Sequence, residues 1–176
     1  MTQQTLWFSQ KEEKAYFQIR GKGSYKNACV FKDTTQDILN QGVVNLTIDF
    51  DPCTGLDSTF LGVLAGLALQ TRQLNLQLSL VNLQNRNLEL IRNMGLDSLI
   101  VIPSSPSDTS NFPPLEPIQG EEATKPETTQ TMLDAHETLI KIKESNREQF
   151  QEVVDYLHRS AKKQKNQKKQ PSTATT

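Results

Sequence analysis

The stretch Ile48-Asp49-Phe50-Asp51-Pro52-Cys53-Thr54-Gly55-Leu56-Asp57-Ser58-Thr59-Phe60-Leu61-Gly62-Val63-Leu64 sets the reading of the whole chain. It begins inside a strand expected over 43–50, where Val44, Leu46, Ile48 and Phe50 alternate onto one face and Val43 and Thr47 onto the other. A strand apolar on one face and mixed on the other suits the interior of a sheet with helices packed on it. Asp51-Pro52 turns the chain and Gly55 relaxes it. Asp57-Ser58 then stands before an apolar helix expected over 59–73. Strand, turn and buried helix in that order make the unit of a layered α/β domain.

The flanks extend the pattern. Trp7-Phe8 starts an extended stretch, and Ala15, Phe17 and Ile19 alternate with Tyr16, Gln18 and Arg20 as a half-buried strand does. A helix follows over 27–41, with Phe31, Ile38 and Leu39 as its stripe and Gly42 as its stop. Beyond the quoted stretch come a strand over 74–81, a helix over 85–94 with Leu88 and Ile91 inward, and a strand over 99–102 closed by Pro103. The order β-β-α-β-α-β-α-β gives an α/β fold for residues 1–103: a small mixed sheet of about four to five strands flanked by helices.

Residues 104–130 are rich in Ser, Thr, Pro and Glu and read as a disordered linker. Helical spacing returns over 131–160, where Leu133, His136 and Ile140 share a stripe and Phe150, Val153, Val154 and Leu157 form another. Ser145-Asn146-Arg147-Glu148 fits a capping box, so this C-terminal helical extension is either two helices broken near Ser145 or one long one. It folds back on the domain, self-associates, or offers a second docking face; the residues leave these open. Residues 161–176 hold Lys162, Lys163, Lys165, Lys168 and Lys169 and no acid, and read as a basic, disordered tail.

Bulk composition excludes several classes. Of 176 residues, 19 are Lys or Arg and 20 are Asp or Glu, a net charge of -1, so no global field draws the chain to nucleic acid or membrane. The basic tail lacks interleaved aromatics for base stacking. The longest apolar run, 60–69, is about half the roughly 20 residues that span a bilayer. The start carries no apolar secretory core, which gives the expectation of a soluble, cytoplasmic protein without a membrane anchor. Two cysteines, Cys29 and Cys53, are too few for a disulfide framework and read as reduced core residues. No cofactor or metal is expected: Gly21-Lys22-Gly23-Ser24 is too short for a phosphate loop and reads as a turn, and His136 and His158 lack ligand spacing. His158 reads as a charge near a helix end, and neither histidine has a paired nucleophile in a recognisable motif, so no enzyme activity is expected.

Ser58 has two readings. Asp or Ser before a helix accepts from free backbone amides and contributes about 1 kcal/mol as a cap. A helix N-terminus also tolerates anions, so a phosphate of roughly -1.5 to -2 charge on Ser58 would turn the site strongly negative beside Asp57, Asp49 and Asp51. The following helix is apolar nearly all round; one face packs on the sheet, and the other either faces a partner or is buried.

These residues carry a family likeness. Ile48-Asp49-Phe50, the turn, and Asp57-Ser58-Thr59-Phe60-Leu61-Gly62-Val63, with Met94-Gly95-Leu96-Asp97 later, resemble the STAS domain of the anti-sigma-factor antagonist type over about residues 5–101. Phe60 departs from the glycine usual there. The resemblance implies that Ser58 is the phosphorylation position, with Thr59 second. It implies a partner-binding surface at Asp57, Phe60, Leu61, Val63 and Leu64. The implied partners are a GHKL-type serine kinase that is also the anti-sigma factor, bound by partner switching, and a PP2C-type phosphatase that resets the switch. The alternative is a STAS subunit fixed in a lipid-transport ABC complex, unphosphorylated, where Ser58 matters only for packing.

Overall fold

The computed structural model describes residues 5–103 and 112–168; the expectations for 104–111 and for the tail beyond 168 lie outside the described residues. Five strands form one sheet in the order β6-β4-β2-β1-β7. They are β1 (Leu6–Lys11), β2 (Lys14–Ile19), β4 (Asn45–Asp49), β6 (Gln77–Val81) and the short β7 (Glu116–Pro117). β2, β4 and β6 run parallel; β1 is antiparallel to β2, and β7 to β1. A second, two-stranded sheet pairs β3 (Gly21–Gly23) in parallel with β5 (Cys53–Leu56). The helices are α1 (Tyr25–Asn40), α2 (Ser58–Gln73), α3 (Asn85–Asn93), α4 (Lys125–Ile142) and α5 (Ser145–Lys168), with a 3-10 turn at Leu96–Ser98. This is the expected α/β fold with a mixed sheet and helices on it.

Register explains which face is apolar. Phe8 sits opposite Phe17, Phe17 opposite Ile48, and Ile48 opposite Leu80. Because side chains alternate, these align on one face, and Phe17, Ile48 and Leu80 are fully buried. The other face carries Trp7, Ser9, Tyr16, Gln18, Thr47 and Asp49, and it binds the segment before β7: Phe112 meets the Tyr16 ring at 5.4 Å and Ser9 donates to the Pro113 carbonyl. A ladder of rings runs from the apolar face into the helices. Phe8 meets Phe17 at 4.9 Å, Phe17 meets Phe31 of α1 edge-on at 5.6 Å, and Phe31 stacks on Phe60 of α2 at 4.9 Å.

Several boundaries differ from the sequence reading. The strand of 43–50 is shorter: Val43 is buried but Val44 is exposed, because pairing starts at Asn45. Leu74, expected in a strand, follows α2 as its C-cap and is exposed. The strand of 99–102 shrinks to one bridge, Ser79 to Val101. Val101 donates to Leu78 and accepts from Leu80, and Pro103 two residues on has no amide to extend the ladder. Gly21-Lys22-Gly23 is the strand β3 rather than a turn. A Cβ on Gly23 would fall 2.7 Å from Leu56 and 3.0 Å from Phe60, so only glycine lets β3 lie this close.

The C-terminal third also needs correction. The linker expected over 104–130 ends early, because Thr124 and Glu127 close a capping box with Pro126 in the first turn and start α4 at Lys125. Within the former linker, β7 joins the sheet and Ile118 packs on the core. The extension is two helices broken before Ser145. The second runs through residues 161–168, where a disordered tail was expected. His158 is therefore mid-helix, bound to Glu137 of α4 at 2.9 Å, and not a charge at a helix end.

Candidate functional site

The site is the N-terminus of α2 and what lies over it. Asp57 is the N-cap, in extended backbone. One carboxylate oxygen accepts from the Phe60 amide at 2.9 Å and the other from the Tyr25 amide at 2.8 Å. Tyr25 opens α1, so one side chain caps two helices and fixes their relative position. The capping reading of the Asp57-Ser58 pair thus falls to Asp57.

Ser58 is the first residue of α2 and is half-buried. Its Oγ lies 2.9 Å from Nε2 of His136, a residue 78 positions later on α4. His136 is buried, and its Nδ1 lies 2.7 Å from the Met132 carbonyl. A carbonyl only accepts, so Nδ1 carries the proton and, in the neutral ring, Nε2 accepts from the Ser58 hydroxyl. Phe150 of α5 meets the imidazole edge-on at 5.2 Å. The pairing of a histidine with Ser58 runs against the reading that neither histidine has such a partner. No local motif announces it, because the two residues meet only when α4 crosses α2.

That crossing is close. A Cβ on Gly62 would collide with the carbonyl of Ala135, so glycine allows the two helices to touch. The sequence reading offered Phe60, Leu61, Val63 and Leu64 as a docking face. The structure covers it. Phe60 and Leu64 are fully buried in the core, Leu61 is 2% exposed and Val63 9%. Phe60 points at Phe31 and not at solvent, so its ring completes the core. Thr59 is buried. Of the candidate residues, only Asp57 and Ser58 keep partial exposure.

The hairpin of α4 and α5 is part of the core. Leu133, Leu139 and Ile140 of α4 and Phe150, Val154 and Leu157 of α5 are buried, each worth about 1.5–3 kcal/mol relative to exposure. Asn146, at the start of α5, donates to the carbonyls of Met94 and Leu139, tying the hairpin turn to the end of α3. Cys29 of α1 donates to Thr131 of α4 at 3.3 Å.

Asp49, at the end of β4, is buried on the opposite face of the sheet, beside Tyr16 and Gln18. Burial alone would raise its carboxyl, but hydrogen bonds from Tyr16, the Asp51 amide, Gln18 and Asn82 outweigh it and hold the group below the usual carboxylate range. It is a structural anion that fixes the turn after β4. Burial pushes the Cys53 thiol up, which leaves it protonated and inert; both cysteines are free and buried. Among the described residues no group of His, Cys, Asp or Glu is arranged to hold a metal ion, and no helix is long and apolar enough to cross a membrane.

Comparison with known proteins gives a family and a fold. A family model described as "Mlab, STAS domain" matches residues 8–102, more than half of the chain. No curated protein matches the chain. Among solved structures, TM1081 of Thermotoga maritima, described as a candidate anti-sigma factor antagonist, superposes with a TM-score of 0.51 at 19% identity, covering 54% of this chain and 82% of that one. The anti-sigma factor antagonist SpoIIAA in its unphosphorylated form gives 0.51 at 13% identity, covering 56% and 88%. At these identities the likeness shows the fold. The family match ends before α4 and α5, which this chain adds.

Proposed function

The chain belongs to the STAS-domain family, and on that premise we propose that it is a non-enzymatic regulator that binds an anti-sigma factor and is switched by phosphorylation of Ser58. The observation that carries this reading is the division of labour at the mouth of α2. Asp57 takes the capping role, and the Ser58 hydroxyl is left off the helix backbone, half-buried, at the positive end of a 16-residue helix. Burial of Thr59 favours Ser58 over its neighbour as the acceptor. The fold likeness to SpoIIAA, named an anti-sigma factor antagonist, supports the choice of partner.

In this reading the anti-sigma factor is also the serine kinase. Phosphoryl transfer from ATP forms a bond between Oγ of Ser58 and the γ-phosphorus, breaks that phosphorus's bond to the β,γ-bridging oxygen and releases ADP, while the hydroxyl proton passes to a base of the kinase and from there to solvent. A PP2C-type phosphatase hydrolyses the ester and restores the binding form. The setting is cytoplasmic.

The test is a pull-down from native lysate with the tagged full chain, Ser58→Ala and Ser58→Asp, with captured proteins identified by peptide mass spectrometry. Alanine keeps the partner and aspartate loses it. Incubation with the captured kinase and ATP adds a single phosphate on Ser58, read by intact and peptide mass. Equal capture by both variants would replace the switch with the fixed-subunit reading, a STAS component of a lipid-transport ABC complex. A phosphate on neither Ser58 nor Thr59 removes the switch altogether.

A further inference from the structure

We propose that His136 reads the charge state of Ser58, so that a phosphate there clamps the α4–α5 hairpin over α2 instead of repelling a partner directly. This rests on the reading of Ser58 as a phosphorylation site and adds the device by which the modification acts.

The N-terminal half of α2 is already covered, because α4 crosses it at Ser58 and Gly62. Ten of its sixteen residues are buried, with the sheet on one side and α4 on the other. A partner that docks on α2 around Ser58 and Gly62 must first lift α4. The unmodified latch is weak: one hydroxyl donating to one neutral imidazole. A phosphate in place of the hydroxyl offers only acceptors, and a neutral Nε2 offers only a lone pair. A tautomer swap would give up the bond to the Met132 carbonyl, and turning the phosphate out to solvent would give up the latch, which leaves two outcomes that act on the hairpin. The hairpin leaves, or the ring takes up a proton and becomes the phosphate's counter-ion. Leaving exposes six buried apolar side chains of α4 and α5, far more than one added charge can drive out. A protonated ring donates from Nε2 to the phosphate in a charge-assisted hydrogen bond, roughly twice as strong as the neutral one.

The surroundings allow a charged ring. Asp57 on α2 has both oxygens engaged by the Phe60 and Tyr25 amides and adds negative potential beside the site. Glu137, next along α4, is bound to His158 of α5. α5 faces the ring with Phe150. None of these places a cation against His136.

The experiment needs neither kinase nor partner, so its failure is distinct from failure of the pull-down. The full chain is made with phosphoserine at position 58, alongside the unmodified protein, each also carrying His136→Gln. Glutamine can accept the hydroxyl or donate to the phosphate, but it stays neutral and so cannot form the charge-assisted bond. Hydrogen exchange at pH 7 is read on the amides of α4 and, as an internal reference, of β4. We expect phosphoserine to slow α4 exchange about tenfold in the His136 protein, with β4 unchanged, and not in the glutamine variant. The nitrogen spectrum of His136 shifts to the doubly protonated form with phosphoserine. Unchanged or faster α4 exchange overturns the proposal, as does slowing that persists in His136→Gln or a ring that stays neutral.

Discussion

Gly62 of α2 and Ala135 of α4 meet with no room for a side chain: a Cβ on Gly62 would lie 2.6 Å from the Ala135 Cβ and nearer still to its carbonyl oxygen. Gly66, one turn further along α2, has nothing within 4 Å of the same position. The two glycines therefore answer the same substitution with opposite signs. Gly→Ala in a helix ordinarily stabilises by about 0.5–1 kcal/mol, mainly by restricting the unfolded chain. Gly66→Ala gains that amount in urea unfolding. Gly62→Ala loses about 1–3 kcal/mol, because the new methyl meets backbone that cannot give way without separating α2 from α4. A gain at both positions would mean that α4 does not sit on α2.

Asp57 holds two helices through one carboxylate. Removing the N-cap of α2 costs about 0.5–2 kcal/mol and losing the hydrogen bond from the first amide of α1 about 0.5–1.5, so Asp57→Ala costs about 1–3.5 kcal/mol. Asparagine has one acceptor oxygen and turns its amide nitrogen towards the other backbone N–H. Asp57→Asn therefore falls between wild type and alanine in a denaturant series. If asparagine matches wild type, one of the two caps contributes nothing.

The α/β core was legible because its periodicities are local: alternation in Ala15-Phe17-Ile19 and Leu46-Ile48-Phe50 put the right residues on the sheet's apolar face. The position of Ser58 at the mouth of α2 was equally plain, since strand, turn and cap follow in sequence. What lies over that serine was not. The contact between Ser58 and His136, and that between Gly62 and Ala135, are set by tertiary packing between segments more than seventy residues apart. His136 lies on the helical stripe with Leu133 and Ile140, where a buried polar ring reads as core. Its one available signal was that a buried histidine needs a partner. The start of α4 was misplaced for a different reason. Pro126 reads as a breaker inside Pro-rich sequence, yet in the first turn its missing amide costs nothing.

Asp49 predicts an acid limb. Its folded carboxyl lies below the ordinary value of 3.8, because four hydrogen bonds to the anion outweigh burial. The stability it contributes is fully present above pH 4 and is lost as pH falls through the depressed folded value. Asp49→Asn should lower stability at pH 7 by about 1–3 kcal/mol, since the amide nitrogen faces donors at either oxygen position. It should also flatten the fall in stability below pH 4, measured by urea unfolding across pH 2.5–7. An unchanged slope would mean that other carboxylates govern acid unfolding.

The seating of the hairpin on α1 can be fixed covalently with one native thiol. Cys29 Sγ lies 3.3 Å from the Thr131 hydroxyl, and the two residues are 102 positions apart. Thr131→Cys places a second sulfur opposite the first, and mild oxidation closes a loop of that length between α1 and α4. Thiol counting should then find one free cysteine, Cys53, in the unfolded oxidised chain. Cross-linking so long a loop removes much of the freedom of the unfolded state, and a gain of about 2–4 kcal/mol over the reduced variant is expected in urea, reversed by reductant. The comparison is internal to one variant, so the cost of losing the Thr131 hydroxyl cancels. A variant that oxidises slowly, or only between molecules, would place α4 away from α1 in solution. The cover over α2 would then fall with it, because the same helix carries Thr131, Ala135 and His136.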